Sequence, residues 1–236
     1  MRQAIADAHD FDQLQAVARR LRTTAVSLQD AEVEPARTST IISTLADSLT
    51  RRSIELSIGD LGPPPCPFSW VVLGSHGRRE PTPGSDVDSA LAWNGEEGNR
   101  EAKSYMLSLG SRVCDGLAHC GLAADERGAT AGHNLFVRPV SGWRRLIRRS
   151  INEPRADKGL IVISLFLDGR VLDHRGGASD LQNEFQAATG RPGLLRLMLS
   201  LALASSRPSA SCAISLSIAR GSTVVCSKSN MGRCCR

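Results

Sequence analysis

The run Gly62, Pro63, Pro64, Pro65, Cys66, Pro67 divides this chain into two regimes. Proline lacks the backbone donor and fixes φ at about −65°, so the run is neither helix nor central strand and acts as a connector. Before it, Leu14, Val17, Leu21, Ala25 and Leu28 recur at spacings of three and four, which predicts a helix over about 11–29; Asp10 with Gln13 gives it a capping-box-like start. Pro35 opens a second helix, in which Ile42, Leu45, Leu49 and Leu56 keep the period and Arg51 and Arg52 fall in the later turns. The two predict an antiparallel hairpin. After the connector the texture changes: SWVVLGS predicts a short buried strand ending in a Gly-Ser turn, and DVDSALAW alternates as a second strand. Between them lies a loop of turn-forming residues, HGRREPTPGS.

From Asn99 to Cys120 the apolar positions Ala102, Met106, Leu109, Val113, Leu117 and Cys120 mark one face of an amphipathic helix, which Gly121 stops. GLAAD and HNLFVRPV are strand candidates, and GWRRLIRRS predicts a short helix ended near Pro154. The apolar run LIVISLFL, 160–167, fits either a strand or a buried helix. Leu194 to Leu203 start a further helix. Helices before and after a few short strands make this an α+β chain. Its expected divisions are a helical hairpin over 1–60, a core with a small mixed sheet over 61–175, the start of a truncated C-terminal helical region over 176–204, and a Ser- and Cys-rich basic tail over 205–236.

The net charge of +5 suggests a polyanion partner until its distribution is considered. No Asp or Glu follows Glu184, while seven Arg and Lys do, leaving 22 basic against 24 acidic residues in positions 1–184. The basicity belongs to the last 52 residues, so it disfavours nucleic acid as the partner of the rest. Nine serines after Ala204 and neither helical nor strand periodicity suggest a flexible or non-native tail, as from a truncated or frame-shifted terminus. Seven cysteines, an odd number, argue against a closed disulfide framework. The charged MRQAIADAHDFD start lacks a secretory h-region, and no apolar run approaches the roughly 20 residues of a membrane span. A cytoplasmic protein without membrane contact is the expectation.

The chemistry concentrates in WVVLGSHGRREPTPGSDVDSALAW, 70–93. A strand delivers Gly74 and Ser75 into a turn, and ten residues later Asp86 and Asp88 stand one residue apart. Residues i and i+2 of a strand share a face, so both carboxylates point the same way. Like charges held so close repel unless a divalent cation lies between them. Hard oxygen ligands in such a pair suit Mg²⁺ or Mn²⁺, and Mg²⁺ commonly binds one or two carboxylates together with substrate phosphates. A glycine lets backbone N–H groups approach a phosphate, and the Ser75 hydroxyl stands beside it. The implied ligand is a nucleoside triphosphate, with Arg78 and Arg79 placed to meet its charge.

Gly-Ser, about ten residues, then Asp-x-Asp resembles the signature of the polymerase-beta-like nucleotidyltransferase superfamily. GSHGRREPTPGSDVDSAL is similar to one branch of it, the nucleotidyltransferase domain of bacterial signal-transduction proteins that often carry CBS and cyclic-nucleotide-binding modules. More distantly it looks like protein-PII uridylyltransferase and glutamine-synthetase adenylyltransferase. The elements that match are Gly74 and Ser75, then Gly77, Arg78 and Glu80, then Asp86 and Asp88. The resemblance implies transfer of a nucleoside monophosphate to an acceptor hydroxyl, with Asp86 and Asp88 as catalytic metal ligands, Gly74, Ser75 and Arg78 on the nucleotide, and a protein acceptor in signal transduction. The alternative is a nucleotide-sensing module without catalysis. The resemblance also implies a third carboxylate on the metal. Asp168 in LFLDGR is the first choice and Asp125 in GLAAD the competitor; a helix over 160–167 would instead make Asp168 a structural partner of Arg170.

Other polar residues have plainer readings. Glu80 is expected to hold its loop through Arg78. Arg144, Arg145, Arg148 and Arg149 are read as a solvated basic face beside Trp143, Leu146 and Ile147 rather than an RNA contact. Cys114 and Cys120 are expected to be packed thiols rather than zinc ligands with His119. His76 lies within the nucleotide loop either as a phosphate contact or as a turn residue, and His133 is expected to be a hydrogen-bonded structural group.

Overall fold

The computed structural model describes residues 2–30, 34–82, 84–122, 129–154, 162–163, 167–175, 192–204, 213–219 and 223–229. After a short helix α1 (Arg2–Ala6), whose Ile5 is buried, come α2 (Phe11–Asp30) and α3 (Pro35–Leu61). Asp10 caps α2: its carboxylate accepts from the Gln13 backbone N–H at 2.7 Å, while the Gln13 side chain accepts from the His9 N–H at 3.0 Å. Pro35 occupies the first turn of α3, where no intrahelical donor is needed, and the Gly62 N–H closes the far end on the Ile58 carbonyl. Arg52, late in α3, donates from Nε to the Ala8 carbonyl just before α2, so the two helices run antiparallel as their sequences predict.

The sheet has four strands in the order β3-β2-β1-β4: β1 (Phe68–Val72), β2 (Ser89–Trp93), β3 (Val137–Pro139) and β4 (Arg170–Arg175). β1 pairs antiparallel with β2 and β4, and β2 pairs parallel with β3, so the sheet is mixed. Every residue of β1 and β2 is buried, because helices cover both faces. On one face Phe68, Trp70, Val72, Leu91 and Trp93 join Leu14, Leu49 and Ile54 of the hairpin and Met106, Leu109 and Val113 of α5 (Arg100–His119) in one core. On the other, Val71, Leu73, Ala90 and Ala92 meet Trp143 and Ile147 of α6 (Val140–Asn152). The buried positions Ala102, Met106, Leu109, Val113 and Leu117 of α5 are the ones its period marks, and the Asn99 side chain caps it by accepting from the Ala102 N–H at 3.0 Å.

Two further helices are α4 (Gly74–Gly77), directly after β1, and α7 (Pro192–Ala204), which contains the expected Leu194–Leu203. Val162, Ile163 and Leu167 are helical, so the described part of LIVISLFL takes the helical alternative. Three expectations change. HNLFVRPV is strand only over β3, because the His133 ring accepts from the Leu135 N–H and starts a 3-10 turn at Asn134–Phe136. Asp86 and Asp88 precede β2 rather than standing within it: Val72 pairs with Ser89, and beyond it the partner chain turns away into α4. Finally, Ala213–Ala219 and Thr223–Ser229 pair as an antiparallel hairpin, β5 and β6, so the tail does carry strand periodicity. Residues 123–128, with Asp125 and part of GLAAD, lie outside the described residues, as do 176–191, Cys212, Cys234 and Cys235. Among the described residues no helix is long and apolar enough to cross a membrane.

Candidate functional site

β1 runs out at Val72 and the chain folds at once into the single turn of α4. One backbone bond continues the sheet past this point: the Leu73 N–H donates to the Asp88 carbonyl at 3.0 Å. It brings the acidic segment alongside the Gly-Ser turn. Gly74 has φ +56°, and a Cβ there would sit 2.6 Å from Asp88 Oδ2. Both the left-handed backbone and the close carboxylate therefore require glycine. Along 86–88, Asp86 is exposed, Val87 is buried in the core and Asp88 is half-buried. The two acids therefore flank a buried valine.

A second group of charges lies at the other end of α4. A Cβ on Gly77 would fall 2.1 Å from the Asp168 carbonyl oxygen and 3.1 Å from that of Val72, so the backbone at Asp168 rests directly on this turn. The neighbouring Arg78 side chain, 12% exposed, donates from Nη1 to Asp168 Oδ2 and from Nε to Glu80 Oε2, the latter at 3.2 Å. Burial pushes the Asp168 carboxyl up to about 6; Arg78 pulls it down through charge and hydrogen bond but does not offset that, and Glu80 adds to the rise. Arg79 follows with φ +62°, a strained backbone for a residue with a Cβ, and its side chain is exposed.

Beneath α4 a buried polar group anchors the turn. His76 is 2% exposed. Burial holds its pKa below the ordinary value, with the nearby Ser85 backbone and the Asp47 charge acting the other way. Arg170 Nη2 donates to Asp47 Oδ1 at 2.8 Å and to the His76 carbonyl at 3.3 Å. Asp47, from α3, is itself buried.

The structure thus brings Gly74 against Asp88, and separately joins Arg78, Glu80 and Asp168. Ser75 is half-buried on α4 between the two groups. Glu80 holds the loop through Arg78 as expected, whereas Asp168 pairs with Arg78 and not with Arg170, which reaches Asp47 instead. Among the described residues no three His, Cys, Asp or Glu side chains form a cluster suited to a metal, so Asp168 is not gathered with Asp86 and Asp88. The Asp86 and Asp88 pair still fits Mg²⁺, a hard cation that needs only one or two protein carboxylates beside substrate phosphates. Asp47, and the bond that ties Arg170 to it, are neighbours of this turn that the sequence reasoning missed. The signal for them was an acid on the inward face of α3, among the buried Ser43, Ala46, Thr50 and Ile54.

Away from this region Cys120 is a core residue, and Cys114 Sγ lies 3.0 Å from Thr130 Oγ1, as packed thiols do; His119 faces Asp12 instead. Trp143 and Ile147 bury one side of α6, while Arg145, Arg148 and Arg149 on the other are exposed. Arg145 pairs with Glu97, and Arg149 lies 3.9 Å from Glu153.

A small mixed sheet flanked by helices, whose first strand ends in a Gly-Ser turn packed on Asp-x-Asp, has the form of a nucleotidyltransferase domain. Residues 19–157, more than half of the chain, match the family described as Putative nucleotidyltransferase DUF294, and the chain belongs to that family. The match runs from α2 to just past α6 and includes the whole Gly74–Asp88 region. No curated protein matches the chain.

Proposed function

We propose that this protein transfers a nucleoside monophosphate from a nucleoside triphosphate to an acceptor hydroxyl, with Gly74 and Ser75 receiving the phosphates and Asp86 and Asp88 holding Mg²⁺. The observation that supports the reading is the closeness of the Asp88 carboxylate to Gly74, which sets one of the two acids against the turn. In this reaction the acceptor oxygen bonds to the α-phosphorus, the bond from that phosphorus to the bridging oxygen breaks, pyrophosphate leaves and the hydroxyl proton passes to a base. Bound Mg²⁺ would supply charge neutralisation on the phosphates. What the chain itself supplies is alignment: Leu73 fixes the Asp88 backbone, and Asp168 and Glu80 fix Arg78 at the edge of the turn. A protein acceptor in signal transduction is the acceptor class we propose, by resemblance to the signalling branch of the superfamily.

One observation favours a second reading, a nucleotide sensor without turnover. Among the described residues no third carboxylate joins Asp86 and Asp88, and the Asp168 carboxylate is engaged by Arg78. The two readings separate in one experiment. The protein is incubated with Mg²⁺, cell extract and each α-labelled nucleoside triphosphate in turn. Label on a protein band that disappears in Asp86→Asn supports transfer; saturable Mg²⁺-dependent binding with no labelled product supports the sensor.

A further inference from the structure

We propose that Arg170 is a positioning residue for the turn that receives the nucleotide: held by the buried Asp47 of α3, it fixes the Gly74–Gly77 turn to the hairpin and to β4. The inference rests on the nucleotide reading above and adds to it a pair of residues which that reading places on neither the phosphates nor the metal.

Arg170 opens β4 opposite Val72, the last residue of β1, and so stands beside the point where the chain leaves the sheet for α4. One of its nitrogens, Nη2, donates both to Asp47 Oδ1 at 2.8 Å and to the His76 carbonyl at 3.3 Å. The carbonyls before His76 are bonded locally: those of Leu73, Gly74 and Ser75 accept from the N–H groups of Gly77, Arg78 and Glu80 at 3.0, 3.1 and 2.9 Å. The His76 carbonyl is where this local set joins a distant part of the chain, since it accepts from the Arg79 N–H at 3.3 Å as well as from Arg170. The segment that leads into β4 follows the turn residue by residue. His76 meets Arg170, Gly77 lies against the Asp168 carbonyl, and Arg78 pairs with the Asp168 carboxylate.

A tether between the hairpin and the sheet does not by itself account for this arrangement. Arg51 of α3 already supplies one, donating from Nη2 to the Leu172 carbonyl of β4 at 3.1 Å. Nor is stability a sufficient reason. Arg170 Nε is buried with no hydrogen-bond partner among the described residues, and a buried ion pair commonly stabilises no more than apolar side chains of the same volume. What Arg170 adds is the reach to His76. Asp47 keeps it there, since a guanidinium held by one carbonyl alone is free to turn toward water.

The test measures the affinity of the full chain for α,β-methylene analogues of ATP, UTP, GTP and CTP with excess Mg²⁺, at a temperature where each variant is folded by circular dichroism. Arg170→Gln is expected to bind about tenfold more weakly, as loss of an aligned bond from a charged donor implies. Arg170→Lys should stay within about threefold of wild type, because both bonds come from one nitrogen and an ammonium can make them. Asp47→Ala separates position from charge. Removing a negative charge near the turn would by attraction alone tighten the binding of a polyanion, whereas loss of the anchor weakens it by about tenfold. Arg51→Gln cuts the other tether; it should lower Tm and leave the affinity at the wild-type value. Unchanged affinity in Arg170→Gln, an Arg170→Lys protein as weak as Arg170→Gln, unchanged or tighter binding in Asp47→Ala, or an equal loss in Arg51→Gln overturns the inference. If Arg170→Gln does not fold, Asp47→Ala against Arg51→Gln decides in the same way. Wild-type protein that binds none of the analogues refutes the underlying reading, a result distinct from binding that Arg170 does not influence.

Discussion

Replacing Gly77 by alanine tests how closely Asp168 rests on the turn after β1. A Cβ at that position falls 2.1 Å from the Asp168 carbonyl oxygen and 3.1 Å from the Val72 carbonyl oxygen, where contacts below 3.0 Å essentially do not occur. Both obstacles are backbone, so neither rotates away, and the segment at Asp168 has to retreat by about an ångström. Overpacking of this kind costs about 1–3 kcal/mol, and two backbone contacts place it near the upper end. The helix preference of alanine over glycine returns at most about 1 kcal/mol, and less in a helix of one turn. Gly77→Ala should therefore lose about 2–3 kcal/mol in urea unfolding, or roughly 4–12 °C in Tm for a chain of this size. Gly59, within α3, faces open space, with nothing within 4 Å of where a Cβ would stand, so Gly59→Ala should gain about 0.5–1 kcal/mol by the same measurement. A Gly77→Ala protein within about 0.5 kcal/mol of wild type would refute the packing of Asp168 on α4.

Asp168 also imposes a pH dependence. Its folded carboxyl titrates at about 6 against 3.8 as the ordinary value, so between those limits the folded state binds more protons than the unfolded one. Stability therefore falls as pH rises from 4 to 6, by an amount on the order of 2 kcal/mol, and Asp168→Asn should remove that slope; an unchanged slope in equilibrium unfolding contradicts the assignment. Asn99→Ala removes the cap of α5 and should cost about 1 kcal/mol by urea unfolding, with Asn99→Asp close to wild type.

How far the sequence disclosed the molecule varied with the range of the forces involved. The helices α2 and α5 were legible to within a residue or two, and α3 at its Pro35 start, because stripes such as Met106, Leu109 and Val113 and caps such as Asp10 and Asn99 are local and periodic. The closeness of Gly74 and Asp88 followed from reading the Gly-Ser turn and Asp-x-Asp as parts of one nucleotide site. The end of the strand before Asp88 was not legible, since it depends on where β1 turns away. The partners of Arg78 and Arg170 were not fully legible either: Asp168 lies 90 residues from Arg78, and Asp47 lies 123 from Arg170, separations that leave no periodic trace. In the tail, Ile214, Leu216 and Ile218 alternate with Ser215 and Ser217, a strand signal hidden by the abundance of serine.

The central claim is that the Gly-Ser turn and the aspartate pair act as one site for a nucleotide and its metal. Equilibrium binding of an α,β-methylene nucleoside triphosphate, with and without Mg²⁺, in wild type and Asp88→Asn tests it most directly. Binding that Mg²⁺ strengthens in wild type, and that loses this gain in Asp88→Asn while its affinity in EDTA holds, is the predicted result. Nucleotide binding that is indifferent to Mg²⁺ in wild type, or equally enhanced in Asp88→Asn, would contradict it.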